Sequence, residues 1–186
     1  MGDVFERLTE AHTDFIGAQK LFFVATAPAG ADGRVNVSPK GYDSLVFDGD
    51  ARLHWLDLGG SGIETVAHLR ENGRITLMFC AFEGRPLILR VYGRGRVTTF
   101  DEPGFDALLA RFDGFDRARA VVTVDIDRVA ESCGWGVPFY QFDGEREQLA
   151  RWVDHRPVDE WKARRYQSNA TSIDGLPGLT PPPEDH

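Results

Sequence analysis

The chain has 186 residues, of which 42% are hydrophobic and 27% are charged, and this composition is typical of one globular domain rather than of a disordered or repetitive protein. Its 21 lysine and arginine residues face 29 aspartate and glutamate residues, which gives a net charge of −8. This balance argues against a nucleic-acid partner, which requires a basic surface, but it permits a local basic pocket for one small phosphate.

The sequence has no recognisable targeting, membrane-spanning or metal-binding signal. The first 19 residues carry four acidic side chains and lack the basic start and apolar run of a signal peptide. No stretch approaches the roughly 20 apolar residues that cross a bilayer. Cys80 and Cys133 form no Cys-x-x-Cys pair, and the scattered histidines predict no metal site. We therefore expect a soluble, cytoplasmic protein without a membrane partner.

Helical periodicity marks four segments of the chain. The first helix is predicted to begin near Asp3, whose carboxylate can cap it together with Glu6 three residues later. The second is predicted to end before Gly73, which stands where a helix C-terminal stop is expected. The predicted helices cover residues 3–16, 61–72, 101–112 and 145–166, the last as one or two helices.

Runs rich in β-branched and aromatic residues, separated by glycine and proline turns, predict the strands. The predicted strands cover residues 20–27, 34–40, 52–58, 74–82, 86–97 and 120–129, followed by a turn and a short strand within 134–142. Hairpin connections favour a mostly antiparallel sheet with flanking helices over a doubly wound parallel sheet. The strands are numerous enough to close into a barrel.

The first candidate site is the segment GGSGIET between a predicted strand and a predicted helix. Free amides at a helix N-terminus, flexible glycines and the hydroxyls of Ser61 and Thr65 suit a phosphate group. A plain connection in which Ser61 caps the helix explains the same residues equally well. The segment lacks the third glycine of the dinucleotide fingerprint and the Gly-Lys-Ser/Thr of a Walker loop.

The second candidate is the segment VNVSPKG on the second predicted strand. Alternation places Val35 and Val37 on one face of the strand and Asn36 and Ser38 on the other. The proline that follows ends the strand's pairing, which leaves Lys40 at a strand end beside a loop. The lysine there either contacts an anion or a polar ring edge, or is simply solvated.

The third candidate is the segment SCGWGVP. Two glycines flank Trp135 and allow a close approach or unusual backbone angles. The indole either stacks on a planar ligand or packs in a bend of the core.

Together these segments resemble the pyridoxamine 5′-phosphate oxidase-related family of FMN-binding split barrels. The resemblance rests on RVNVSPKG, HWLDLGGSGIETVAHLRENGRITLMF and LRVYGRGRV, with the tail motifs SCGWGVP and NATSIDGLPGL typical of a bacterial subgroup. It implies a six-stranded antiparallel barrel of Greek-key type over residues 1–142. Residues 143–186 are expected to be a helical extension of the same domain with a loose tail from Pro177 onward, because the last ten residues contain four prolines. It also implies a homodimer with FMN at the subunit interface.

The family's flavin contacts transfer onto two segments. The strand that matches Val35–Lys40 runs along the flavin ring, and the strand end and helix start that match Trp55–Thr65 hold the ribityl phosphate. The cofactor-binding residues implied in this way, with Trp135 added, are Val35, Asn36, Val37, Ser38, Lys40, Trp55, Leu56, Asp57, Ser61, Gly62, Thr65 and Trp135.

Departures from the family pattern limit the functional expectation. True pyridoxamine phosphate oxidases carry an arginine at the position of Val35 and an Arg-Lys pair where this chain has Thr65 and Val66. Their C-terminal substrate motif is not recognisable here. A phosphate grip in this chain must therefore rely on amides and hydroxyls, and the vitamin substrate is not implied.

The resulting expectation is an FMN-dependent oxidoreductase that acts on an unknown small organic substrate, with no catalytic side chain identified. The alternatives are a deazaflavin-dependent reductase and a non-catalytic flavin-binding or haem-binding protein. The flavin would perform the redox chemistry, and the protein would orient it and exclude water.

Overall fold

The computed structural model of the chain describes residues 2–182 and contains one curled sheet with helices around it. All strand pairings in this part of the chain are antiparallel. The spatial order is β3-β2-β6-β7-β8-β5-β4, and β1 also pairs with β8. The strands are β1 Val4–Phe5, β2 Phe22–Thr26, β3 Asn36–Lys40, β4 Leu45–Phe47, β5 Arg52–Asp57, β6 Arg74–Cys80, β7 Ile88–Thr99 and β8 Ala120–Ser132.

The predicted fold class, a mostly β split barrel with flanking helices, is confirmed. The structure has two short strands, β1 and β4, that the sequence did not predict. β1 has two residues and β4 has three, so neither is long enough to display an alternating pattern. β4 is recognisable only from its pairing with β5, where Leu45 lies opposite Trp55.

The helices are α1 Glu10–Ala18, α2 Glu64–Asn72, α3 Phe105–Leu109, α4 Gln148–Asp154 and α5 Val158–Ser168. The predicted start of the first helix at Asp3 was wrong. The N-cap is Thr9, which forms a capping box with His12, because the residues before it extend along β8. The helix predicted for residues 101–112 is confined to the five residues of α3.

Two hydrophobic cores lie on opposite faces of the sheet. Alternation along β5 sends Leu53 and Trp55 into the core inside the curl and Leu56 into the core beneath the helices. Trp161 of α5, from the predicted C-terminal extension, packs in this second core. Both faces of β5 are therefore packed against a hydrophobic core.

The C-terminal segment differs from the expectation of a loose tail beginning at Pro177. Pro177 forms a β-bridge with Thr171, and Leu179 is buried in the second core. The Gly178 N–H donates to Ala170 O at 2.8 Å, and a Cβ at Gly178 would lie 2.2 Å from Asn169 O. Burial of Leu179 and this close approach fix the segment, so that part of the prediction was wrong. Residues 183–186 of the predicted tail lie outside the described residues.

The short strand predicted within residues 134–142 was also wrong. A turn occupies 134–137, and the residues after it have no regular secondary structure. Among residues 2–182, the structure has no helix with the length and apolar character needed to cross a bilayer.

Candidate functional site

A cavity of about 510 Å³ lies between the edge strand β3 and the loop that precedes α2. It brings together two of the segments singled out in the sequence and adds part of the C-terminal segment. Its lining residues are Arg34, Val35, Asn36, Val37, Ser61, Gly62, Glu64, Thr171, Ser172 and Ile173. Ser61 and Val35 are 26 positions apart in sequence, and the fold places both on one cavity.

The loop before α2 has its carbonyl groups held from inside the protein. Arg165 Nη1 donates to Gly60 O at 2.7 Å, Asn169 Nδ2 donates to Ser61 O at 3.2 Å, and Arg119 Nη1 donates to Gly62 O at 2.6 Å. In a planar trans peptide the C=O and N–H groups point in opposite directions. The N–H groups of residues 61–63 therefore face away from these three side chains.

These outward N–H groups are available to a ligand. Within residues 2–182, the N–H groups of Ser61, Gly62 and Ile63 make no hydrogen bond to the rest of the chain. Ile63 is the N-cap of α2, and no side chain caps this helix, so the interpretation of Ser61 as a cap was wrong. The first amides of α2 also lack intrahelical acceptors, as at any helix start. The result is a concentration of free donors beside the cavity.

Gly59 gives the loop its entry angle. Its φ of +88° lies in the left-handed region, and a Cβ there would come within 3.4 Å of both Arg119 Cβ and Arg165 Nη1. A side chain at this position would be strained and would crowd the two arginines. The glycine thus allows the backbone to approach the side chains that hold the loop.

Asp57, at the end of β5, supports this loop from below. Its carboxylate accepts from Arg119 Nη2 at 2.7 Å and from the Gly59 N–H at 3.0 Å. Burial alone would raise the pKa of Asp57, but the charges of Arg119 and Lys40 outweigh it and hold that pKa below its usual range. Asp57 is therefore an ionised internal support.

Trp55 and Leu56, the other β5 residues that the resemblance implies, have their side chains in the two cores. Neither lines the 510 Å³ cavity. These two residues could therefore contact a ligand in that cavity only through their backbone atoms.

Strand β3 alternates as the sequence predicts. Val35 and Val37 point outward and are 70% and 61% exposed, whereas Asn36 and Ser38 point inward. Asn36 Nδ2 donates to Thr65 Oγ1 at 3.0 Å, which connects β3 to α2. Ser38 Oγ is buried without a hydrogen-bond partner in the described part of the chain.

Lys40 lies on the same inward face of β3, with its Nζ 4.9 Å from the centroid of the Trp55 ring. Burial lowers the pKa of this amine, and the nearby Asp57 carboxylate counteracts part of the effect. The interpretation as a solvated lysine therefore does not describe its position. Lys40 is therefore a partly desolvated cation that lies over the Trp55 ring on the inward face of β3.

Trp135 is not brought to the same place. It is 85% exposed and lines a separate cavity of about 430 Å³ near Cys133 and the end of β8. The alternative of a core tryptophan is wrong, because the ring faces solvent. Within one chain, the cavity that Trp135 lines and the cavity beside β3 have no lining residue in common.

The sequence did not identify several residues that contact the loop or the cavity. The buried arginines Arg119 and Arg165 and the buried amide of Asn169 contact the loop from 50 or more positions away, so no local pattern marks them. Arg34 donates its N–H to Asp174 at 2.7 Å, and their side chains form an ion pair beside the cavity. The tail motif NATSIDGLPGL contains Asn169 and Asp174, but nothing in its sequence marks either residue as a contact of the loop or of Arg34.

The chain is similar in sequence to proteins of a known family. A family model described as pyridoxamine 5′-phosphate oxidase matches residues 8–133. The chain is 37% identical over 193 residues to the pyridoxamine 5′-phosphate oxidase family protein ustO of Aspergillus flavus, a match that covers 94% of this chain and 77% of that protein.

Solved structures show the same fold at lower identity. HupZ of Group A Streptococcus superposes with a TM-score of 0.54 and 24% identity over 67% of this chain and 98% of that one. A candidate pyridoxamine 5′-phosphate oxidase of Lactobacillus delbrueckii gives a TM-score of 0.51 and 22% identity over 67% of this chain and 94% of that one.

Proposed function

Because the chain belongs to the pyridoxamine 5′-phosphate oxidase family, we propose that it is a flavin-dependent oxidoreductase that binds FMN and acts on a small organic substrate. The observation that carries the proposal is the set of outward N–H groups at residues 61–63, which faces away from three buried side chains beside a 510 Å³ cavity. Backbone donors at a helix start are suited to a phosphate group.

The residues present fit a phosphate without the family's arginine and lysine pair. Ser61 is exposed and adds a hydroxyl, and Arg34, which is also paired with Asp174, adds the remaining donors of its guanidinium at the cavity wall. Glu64 is the unfavourable charge in the lining, and its carboxylate accepts the Ile173 N–H at 3.2 Å. Amides, one hydroxyl and one arginine thus provide the donors that a phosphate monoester requires.

The inward face of β3 would hold the remainder of the cofactor. Asn36 begins this face beside the cavity, and Lys40 lies about 13 Å farther along at roughly 3.3 Å per residue. Ser38 between them carries a hydroxyl with no partner among residues 2–182. A bound flavin supplies hydride and electron transfer, for which no side chain is suited. The protein's part is to orient the ring and to place the Lys40 charge.

We further propose a twofold homodimer with the cofactor at the subunit interface. Val35 and Val37 form an exposed apolar pair at the edge of the sheet, directly beside the cavity. Phe139 and Tyr140 are also exposed, although large apolar side chains are usually buried. Light scattering tests this assembly, since a mass near the 20.7 kDa of one chain at micromolar concentration would contradict it.

The experiment that tests the function is the visible spectrum of the purified protein, followed by titration with FMN. We expect a yellow protein with the absorption of oxidised flavin, which becomes colourless with NADH or NADPH and regains its colour with a suitable acceptor. The spectrum of a deazaflavin or of a haem would contradict FMN. Stoichiometric flavin that no electron donor reduces would indicate a carrier rather than an enzyme.

A further inference from the structure

We propose that Asn169, at the C-terminal end of α5, is a positioning residue for the phosphate group of the cofactor. It acts by holding the Ser61 peptide with its carbonyl inward and its following N–H outward. The inference rests on the proposed function, since it concerns the phosphate end of the same site. It assigns a role to the NATSIDG stretch, which the sequence singled out without explaining.

The clamp on the loop consists of three side chains on three successive carbonyl groups. Arg165 holds Gly60, Asn169 holds Ser61 and Arg119 holds Gly62, and all three clamp side chains are buried. Arg119 stands directly before β8, and the other two belong to α5 and its C-cap. The loop is therefore oriented by elements that are distant in sequence.

Asn169 is the member of the clamp whose chemistry is least replaceable. It is 0% exposed, and its amide uses both ends: Nδ2 donates to Ser61 O at 3.2 Å, and Oδ1 accepts from Arg119 Nη1 at 3.0 Å. Its backbone carbonyl also accepts the Leu179 N–H at 2.8 Å, which fixes the C-terminal segment. An asparagine amide combines a donor and an acceptor, whereas a carboxylate would only accept.

The orientation of this peptide matters for an anion in particular. Glycines at positions 59, 60 and 62 give the loop backbone freedom, so its peptides can rotate when the inner donors are lost. A rotated peptide would present a carbonyl oxygen to the cavity in place of an N–H group. A phosphate would then meet partial negative charge, whereas an uncharged ligand portion would be affected much less.

The test compares FMN with riboflavin, which lacks the phosphate, in the wild type and in Asn169→Asp. Asn169→Asp keeps the side-chain volume and the acceptor for Arg119 but removes the donor to Ser61 O. Because it also adds a buried negative charge near the phosphate, the neutral Asn169→Ser is titrated beside it. We expect the dissociation constant for FMN to rise at least tenfold and that for riboflavin to change by less than threefold. Fluorescence titration of each flavin measures both constants.

Asn72→Asp is the matched control. Asn72 at the end of α2 has the same chemistry, because its Nδ2 donates to Ala27 O at 2.8 Å and its Oδ1 accepts the Arg74 N–H at 2.9 Å. It does not line the cavity. We expect this substitution to leave the ratio of FMN to riboflavin affinity at its wild-type value.

The outcomes separate the two proposals. A wild-type protein that binds riboflavin as tightly as FMN contradicts the phosphate site itself, and with it the proposed function. A wild type that prefers FMN, together with an Asn169→Asp variant that keeps the full preference, overturns the positioning role alone. The neutral Asn169→Ser, which removes the same donor, should show the same selective loss of FMN affinity. A selective loss in Asn169→Asp alone would reflect repulsion by the added charge and would overturn the positioning role.

Discussion

The guanidinium of Arg119 lies 2.7 Å from the carboxylate of Asp57, and the two side chains are only 5% and 4% exposed. The pair joins the start of β8 to the end of β5, directly beneath the loop that carries the outward amides. A buried pair of this kind contributes little net stability compared with apolar residues, but the loss of one partner leaves the other charge uncompensated. Its role is to fix the Arg119 guanidinium where it also reaches Gly62 O.

Asp57→Asn is therefore expected to be strongly destabilising. Arg119 would remain buried without its counter-charge, and the expected loss is about 3–5 kcal/mol of the free energy of unfolding. Urea denaturation followed by circular dichroism measures the change. The exposed pair of Glu147 and Arg151, whose side chains are each 70% exposed, gives the control: Glu147→Gln should change the free energy by less than about 1 kcal/mol. Equal effects of the two substitutions would contradict this account.

A second prediction concerns acid. His68 is 0% exposed, and burial lowers its pKa, although Glu64 and Asp174 counteract part of the shift. Because the pKa is lower in the folded protein, the unfolded chain binds more protons as the pH falls below about 6.5. The stability that neutral His68 contributes is thus present above that pH and is lost on acidification.

The expected slope is up to about 1.4 kcal/mol per pH unit from this one group. Urea unfolding at pH 7, 6 and 5 measures it in the wild type and in His68→Gln, which cannot titrate. The variant should show a flatter decline over this interval. Identical slopes would mean that the protonation of His68 is not coupled to folding.

Much of the fold could be predicted because its signals are local. Alternation along β3 correctly placed Asn36 and Ser38 on one face, and Gly73, in the left-handed region, ends α2 where the sequence indicated. The start of α1 could not be predicted in the same way. Asp3 and Glu6 satisfy a capping pattern, but pairing of Val4 with Ala130 draws the backbone into a strand. Such a contact across the chain outweighs local propensity.

The residues of the candidate site were likewise predictable only where their signals are local. Ser61 and Val35 were recognisable from glycines, hydroxyls and alternation, and they line one cavity. Arg119 and Asn169 carried no local signal, because a buried arginine and a buried asparagine look like surface residues in a sequence. Their function depends on the loop carbonyls that they meet in the folded chain.

A third prediction concerns the hydroxyl of Ser61, which lines the cavity, and that of Thr65, which is buried behind it in the first turn of α2. Ser61→Ala combined with Thr65→Ala should weaken FMN binding at least tenfold and leave riboflavin nearly unaffected. A hydrogen bond to a charged oxygen contributes about 1.5–3 kcal/mol, and tenfold corresponds to about 1.4 kcal/mol. Fluorescence titration of both flavins measures the effect.

Two comparisons keep this result interpretable. Thr65 Oγ1 also accepts from Asn36, so Thr65→Ser, which keeps the hydroxyl, should retain most of the affinity. Thr13→Ala removes an exposed helix hydroxyl from α1 and should change neither constant. Equal losses for FMN and riboflavin in the double variant would show that the hydroxyls do not contact the phosphate.

The last prediction concerns Lys40, the cation on the inward face of β3. Lys40→Met keeps the aliphatic stem over Trp55 and removes the charge, so the fold should survive. A cation beside a flavin favours its anionic reduced form, and the reduction potential of bound FMN should therefore fall in the variant. For a two-electron couple, about 30 mV corresponds to about 1.4 kcal/mol, and we expect a shift of roughly this size. Spectroelectrochemical titration measures this shift.

Lys162→Met is the matched control, because Lys162 Nζ lies 5.3 Å from the centroid of the Phe100 ring on α5's side of the sheet. An equal potential in the wild type and Lys40→Met, with FMN bound at full occupancy, would remove Lys40 from the cofactor's surroundings.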